Sequence, residues 1–347
     1  MPETRTGALK RLFPDEPGFR QAQLEKAVFD DGPNGWNEVT TLPQPIRDRL
    51  GKEVPWLSYD EDSTVFMESG DGDSFKAALE LGDGSCIETV LMANRRGQWT
   101  ACLSTQVGCA MRCAFCATGK LGLKRSLTSD EIVDQLRFWR RFLLKRDRNE
   151  RVSNIVLMGM GEPLANYDNV KTALNLILGN TDIGSTRITV STVGIIPQLN
   201  RILDDPEWPP VRLAVSLHSA DLKTRKELMP TTYDRFLDDL TEWGQRYRQK
   251  FGNRRHHVTF EYLLLKGLND TPDHAAKLVA LSQEIGQVKV NLIPYNATDS
   301  GFTGSDENRI EEFAAVLRQA GIDVTRRRSL GRDIAAACGQ LAGPRKG

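Results

Sequence analysis

From Cys86 onward, short apolar runs alternate with longer stretches in which apolar residues recur every three or four positions. The runs Thr100–Ser104, Ile155–Met158, Ile188–Ser191, Leu213–Leu217, Val258–Leu265, Val288–Ile293 and Ile322–Thr325 read as buried strands. Glu131–Leu144, Asn169–Leu178, Phe236–Phe251, His274–Ile285 and Arg309–Ala320 read as amphipathic helices. Thr128-Ser-Asp-Glu131 places a capping box at the head of the first of these, satisfying backbone N–H groups that a helix start leaves free. Repeated strand–helix units predict an α/β fold: a parallel sheet with helices outside, wound by right-handed crossovers into a partial or complete (β/α) barrel. In such sheets ligands meet the loops at the carboxyl ends of the strands.

Residues 1–85 follow a different pattern. Phe19–Phe29 has the spacing of a short helix, Gly32-Pro33-Asn34-Gly35-Trp36 is turn chemistry, and Leu42-Pro43-Gln44-Pro45 opens a helix toward Leu50. Two domains are expected, a small helical accessory domain over 1–85 and a larger one over 86–347.

No apolar run approaches the roughly 18 residues that a membrane helix needs. The 46 Lys and Arg balance 46 Asp and Glu, so the total charge points to no polyanion; its distribution does more. Thirteen basic residues, among them Arg95, Arg96, Arg112, Lys120, Lys124, Arg125, Arg137, Arg140 and Arg141, stand against five acids between Met92 and Val152. Arg326, Arg327, Arg328, Arg332, Arg345 and Lys346 form a second basic stretch, and acids collect between Asp60 and Asp83. Many such cations sit on solvated helix faces; together the two segments are compatible with a nucleic-acid substrate.

The chemistry concentrates in Cys109-x-x-x-Cys113-x-x-Cys116, which follows the first strand of the repeat. Four thiolates close an iron–sulfur cubane, whereas three leave one iron without a protein ligand. Zinc favours a second pair or histidines at a distance, and His218, His256, His257 and His274 show no such spacing near the triad. Six cysteines with no apolar signal at the start (Met1-Pro-Glu-Thr-Arg-Thr) suit a reducing cytoplasm rather than a disulfide framework.

The triad resembles that of the radical S-adenosylmethionine (SAM) enzymes, which implies a 4Fe–4S cluster on Cys109, Cys113 and Cys116 whose fourth iron is completed by SAM. Met158-Gly-Met-Gly-Glu-Pro-Leu164 resembles the family motif that holds the SAM amino group, and maps Gly161 and Glu162 as SAM contacts. The same resemblance maps Ser191, the run Ser216-Leu217-His218, and Asn296. Their hydroxyl, imidazole and carboxamide groups suit ribose, adenine or carboxylate; on its own, His218 reads as a satisfied structural histidine. Gln106-Val-Gly-Cys109 and Asp333-Ile-Ala-Ala-Ala-Cys338-Gly-Gln-Leu341 narrow the resemblance to the RlmN/Cfr family of RNA adenosine methyltransferases, over about Glu88 to Leu341.

That family's chemistry implies roles for two further cysteines, each of which reads in isolation as a small buried hydrophobe. Cys338 takes a methyl from one SAM, and a second SAM, cleaved reductively, yields the radical that removes hydrogen from it. The carbon then adds to adenine, and Cys102 resolves the covalent RNA adduct by forming a disulfide with Cys338. Glu88 matches the acidic residue assigned as proton acceptor; a solvent-facing strand carboxylate is its plain alternative. Cys86 matches no catalytic position. The resemblance also implies 23S ribosomal RNA and tRNA as substrates, an electron donor such as flavodoxin or ferredoxin, and a cytoplasmic monomer; the small helices with Gly/Pro joints in residues 1–85 fit an RNA-docking appendage and a generic helical cap equally well. Pro163 and Leu341-Ala-Gly look like the group acting at adenine carbon 2, Ser191–Pro197 and Ser216–Ser219 like the carbon-8 antibiotic-resistance group. Carbon 2, the commoner housekeeping role, is the expectation. A noncatalytic RNA-binding protein with a structural cluster would need none of Cys102, Cys338, Glu88 and Glu162.

Overall fold

The computed structural model describes residues 2–94, 96–147, 150–252 and 257–343. Arg95, His256, Arg345 and Lys346 lie outside them. Three helices come first, α1 (Arg5–Leu12), α2 (Phe19–Phe29) and α3 (Gln44–Glu53). Thr4 caps α1 by accepting from the Gly7 N–H, and the apolar stripes Ala8-Leu9-Leu12, Leu24-Ala27-Val28 and Ile46-Leu50 are buried in the same core as the sheet.

An antiparallel meander follows, of β1 (Tyr59–Glu68), β2 (Ser74–Leu81), β3 (Cys86–Ala93) and β4 (Trp99–Cys102). The hairpin of β5 (Gln106–Gly108) and β6 (Leu123–Ser126) carries the short helix α4 (Ala117–Lys120) in its long loop. Then come α5 (Ser129–Arg146), β7 (Val152–Leu157), α6 (Tyr167–Asn180), β8 (Ile188–Thr192), α7 (Ile196–Asp204), β9 (Arg212–Ser216), α8 (Leu222–Leu228) and α9 (Phe236–Phe251). The series closes with β10 (Val258–Leu264), α10 (Pro272–Ile285), β11 (Val288–Pro294), α11 (Glu307–Gln319) and β12 (Asp323–Arg326). The capping box read at Thr128 and Glu131 is formed, each side chain accepting from the other residue's backbone N–H.

One ten-stranded sheet runs β1-β2-β3-β4-β7-β8-β9-β10-β11-β12, antiparallel up to β4 and parallel thereafter. β1 and β12 stand at opposite ends, so the barrel is partial among the described residues. Residue 85 falls in the turn between β2 and β3, which pair from Ser74–Met92 to Glu80–Cys86. The expected division there therefore cuts a hydrogen-bonded hairpin, and residues 1–85 are helical only in their first 53. Five strands, β1, β2, β3, β5 and β6, are absent from the expected runs, and the first two were missed for opposite causes. β1 is an exposed edge strand rich in acids, and β2, Ser-Phe-Lys-Ala-Ala-Leu-Glu-Leu, is built mostly of helix formers that pairing on both sides overrides.

Register separates the two faces of the parallel sheet. Ile155, Val190, Leu213, Phe260 and Leu292 are buried in the core shared with the helices. On the other face Ser216 stands opposite Glu261, and Glu261 opposite Asn291. A polar interior row beneath an apolar exterior is what a site inside the barrel requires.

The helical N-terminus is bolted on by charge. Arg5 and Arg137 both pair with the fully buried Asp134 of α5, and Arg5 and Arg137 also donate to the Trp56 carbonyl. Burial alone would raise the Asp134 carboxyl, but the two guanidiniums outweigh it and hold it down to about 2.

Candidate active site

The cysteine loop is anchored before it reaches its first thiol. At Gly108 φ is +77°, and a Cβ there would collide with the Gly122 carbonyl oxygen, so β5 and β6 close only on glycine. Cys109 N–H then donates to that same oxygen at 2.8 Å, and Cys116 N–H turns back onto the Cys113 carbonyl at 3.1 Å. Ala114 N–H donates to Leu228 at the end of α8, and Ala117 N–H to Gly339 in the C-terminal segment. The three cysteines line one cavity with Met111, Phe115 and Thr118. Among the described residues no group of three His, Cys, Asp or Glu side chains converges tightly enough for a single metal ion. A cubane takes each thiolate on a different iron, so three thiols lining one cavity fit a cluster. Burial pushes the Cys109 thiol up to about 11 and raises that of Cys113, the order a bound cation would invert.

The Gly-Glu-Pro turn after β7 lines the same cavity. Gly161 has φ +101°, and a Cβ there would lie 2.5 Å from that of Gln106, so the turn packs on β5 only without a side chain. Gln106 in turn accepts from the Glu162 N–H at 2.9 Å. The Glu162 carboxylate is buried and fixed, Oε1 accepting from Leu164 N–H (2.9 Å) and Oε2 from Val193 N–H (2.8 Å). Desolvation raises its pKa against those bonds, so a cationic partner in the cavity gains by ionising it. Ser191 and Ser216 line the same cavity with hydroxyls 3.4 Å apart. His218 adopts φ +57°, and its Nδ1 accepts from Leu263 N–H at 3.0 Å, leaving the proton on Nε2. Burial and then Arg225 hold this imidazole down to about 3, hence neutral.

Two mapped residues stand back from the cavity. Leu217 is fully buried with its N–H on the Glu261 carbonyl, and Asn296 is spent on the C-terminal segment, donating to the Cys338 carbonyl and accepting from Arg332. Cys338 lies exposed on the cavity rim, with Gly339 beside it. Cys102 is buried at the end of β4, and burial and then the charge of Cys338 push its thiol up to about 12.

Glu88 faces neither solvent nor this cavity. It is buried in an ion pair with Lys76 at 2.9 Å, and its other oxygen accepts from the N–H groups of Ala342 and Gly343 at 2.8 and 2.9 Å. In this state it latches the segment that carries Cys338.

Sequence reasoning missed three charged residues. Glu261 lines the cavity, accepts from Asn291 at 2.9 Å and pairs with Arg327 at 3.3 Å. Arg327, expected on a basic surface, turns into the cavity instead, while Arg326 pairs outward with Glu307, the alternation of a strand end. The third is Arg225, buried behind Val193 and Ser216. Glu261 and Arg225 sit in an apolar strand and an amphipathic helix, where only register reveals an inward charge. Among the other cations counted, Arg125 pairs with Asp83 and Glu131, and Arg140 with Asp31.

The model of the radical SAM superfamily matches residues 103–279. Across 98% of this chain and 90% of its own length, the "Probable dual-specificity RNA methyltransferase RlmN" of Heliobacterium modesticaldum is 42% identical. The chain belongs to the RlmN family of radical SAM proteins. The "Ribosomal RNA large subunit methyltransferase N" of Nitrosopumilus maritimus is 36% identical over 96% of this chain and 97% of its own. A crystal structure of a radical SAM methyltransferase from Sphaerobacter thermophilus covers 99% of the chain with a TM-score of 0.88 and 36% identity, so the family fold extends through the N-terminal helices.

Proposed function

We propose that this protein methylates carbon 2 of adenosine in 23S ribosomal RNA, and in tRNA beside the anticodon, through a methyl carried on Cys338. The reading rests on one juxtaposition: an exposed cysteine on the rim of the cavity whose wall holds three others, with a second, buried cysteine close enough to feel its charge. Relatives named as dual-specificity RNA and ribosomal RNA methyltransferases support the substrate class.

Cys109, Cys113 and Cys116 would hold a 4Fe–4S cluster. Glu162, Gly161, Ser191, Ser216 and His218 would contact SAM directly; Leu217 and Asn296, set back from the cavity, would hold the segments around it. When bound, these groups supply the transferable methyl and one-electron chemistry, with two SAM used per turnover and the electron coming from a flavodoxin or ferredoxin. Glu162 offers a preoriented carboxylate to an ammonium group, and neutral His218 offers a donor. Cys338 would accept the methyl, a role supported by its exposure at the cavity and by the Asn296 bond to its carbonyl. Its alkylation removes the lesser of the two influences that raise the Cys102 thiol, burial being the larger. The Cys102 thiolate then attacks the Cys338 sulfur: an S–S bond forms, the S–C bond to the RNA adduct breaks, and the carbon leaves with the electron pair and takes a proton. The disulfide is reduced before the next cycle. Glu88 is the proton acceptor in this scheme once the C-terminal segment has moved off it. Among the described residues no helix is long and apolar enough to cross a membrane; a cytoplasmic site of action is part of this proposal.

Chromatographically resolved mass spectrometry of nucleosides, on RNA from cells with and without this protein, tests the reading. 2-Methyladenosine that depends on the protein supports it, 8-methyladenosine moves the chemistry to carbon 8, and unchanged RNA leaves a noncatalytic RNA-binding protein.

A further inference from the structure

Arg225 is a buried cation without a buried anion. It is 1% exposed, and among the described residues no carboxylate lies within ion-pair distance. Its guanidinium stacks on Phe236 at 3.6 Å, donates to the Thr232 hydroxyl, to the Val193 carbonyl at 2.7 Å and to the Ser216 carbonyl at 3.4 Å, and leaves Nε without a partner. Such a charge is costly unless something anionic shares its surroundings. The apolar cluster of Leu228, Met229, Leu263, Leu265 and Ile293 packs against Cys113 and Phe115, so little solvent screens what lies there. One turn beyond Arg225, the Leu228 carbonyl accepts the N–H of Ala114, next to Cys113. Burial pushes the guanidinium down to about 9, and the leading influence that favours its charge is Cys113.

We infer that Arg225 is the fixed counter-charge of the cysteine loop: it raises the reduction potential of the cluster held there, while tying the ends of β8 and β9 to α8. This rests on the cluster reading given under Proposed function. Three thiolates make the site anionic, and each added electron makes it more so; a buried cation therefore favours the reduced form, net charge being one of the determinants of cluster potential. Arg225 is thus a positioning residue that acts through the cluster.

The test is an anaerobic redox titration of the full-length reconstituted protein, followed by the EPR signal of the reduced cluster. Arg225→Gln should make the cluster at least tenfold harder to reduce, which is about 59 mV for one electron. Arg225→Lys should stay within about threefold of the wild type, because it keeps the charge and loses only the hydrogen-bonding fork. Equal potentials in Arg225→Gln and wild type, both fully loaded with iron, overturn the inference. Should Arg225→Gln not fold, Thr232→Asp against Thr232→Asn neutralises the guanidinium without removing it, and equal potentials in that pair overturn it equally. A wild type that assembles no cluster brings down the reading of the site, and this inference with it.

Discussion

Glu88→Gln separates the latch seen in the structure from any role in proton transfer. Lys76 and Glu88 are 7% and 4% exposed, so neither end of the pair can fall back on water. A glutamine amide cannot serve both neighbours. With its oxygen toward Ala342 and Gly343, its NH2 meets the Lys76 ammonium; turned round, it offers donors to two backbone N–H groups. Breaking a buried pair by removing one partner costs about 3–5 kcal/mol. For a chain of 347 residues that lowers the melting temperature by about 4–7 °C. Lys76→Met should cost less, because Glu88 keeps two charge-assisted bonds from the backbone. The double variant should be at least about 1 kcal/mol more stable than the sum of the two single losses, since no orphaned charge remains. Guanidinium denaturation of all four proteins, with limited proteolysis of the C-terminal segment, measures both effects. A Glu88→Gln protein within about 0.5 kcal/mol of wild type, the range of an ordinary surface change, with its C-terminus equally protected, refutes the latch.

Replacing any one of Cys109, Cys113 or Cys116 by Ala should abolish the broad visible absorption and the iron, about four per chain, of the anaerobically reconstituted protein; methylation by an iron-free triple variant would sink the proposed chemistry. Cys338→Ala should be inert and free of RNA, whereas Cys102→Ala should accumulate protein crosslinked to RNA through Cys338, visible as a shifted band that ribonuclease removes; normal turnover without crosslink returns Cys102 to a plain buried strand residue. Because burial holds His218 down to about 3 while the unfolded chain titrates near 6.5, the unfolded state takes up a proton that the folded state refuses in between. Stability is therefore lost as pH falls from about 6.5 toward 3, by up to about 1.4 kcal/mol per unit. His218→Asn, which tolerates the left-handed backbone and still accepts from Leu263 N–H, should flatten that part of the profile in denaturant titrations at pH 4 to 7; an unchanged slope would mean that other groups set it.

The strands β4 and β7 to β12 and the helices α5, α6, α9, α10 and α11 were legible in the chain as apolar runs and amphipathic periods, whereas β5, β6, α4, α7 and α8, each nine residues or shorter, were not. The cysteine spacing was legible too, since three thiols within eight residues must share a loop. β1 and β2 were not, because an edge strand needs no apolar alternation and Ala, Leu, Lys and Glu prefer helix until a neighbouring strand claims their backbone. Which charged side chains face the cavity was also undecided by local pattern. Glu261 and Arg327 turn inward by register with β9 and β11, and Arg225 by the packing of α8 on Phe236. Motif likeness gave Glu88 a chemical role, and only the tertiary structure brought Lys76, Ala342 and Gly343, 12, 254 and 255 residues away along the chain, onto its carboxylate. Local patterns record which surface a segment buries; the partner that meets a buried charge is chosen by segments far away in sequence, and only folding decides it.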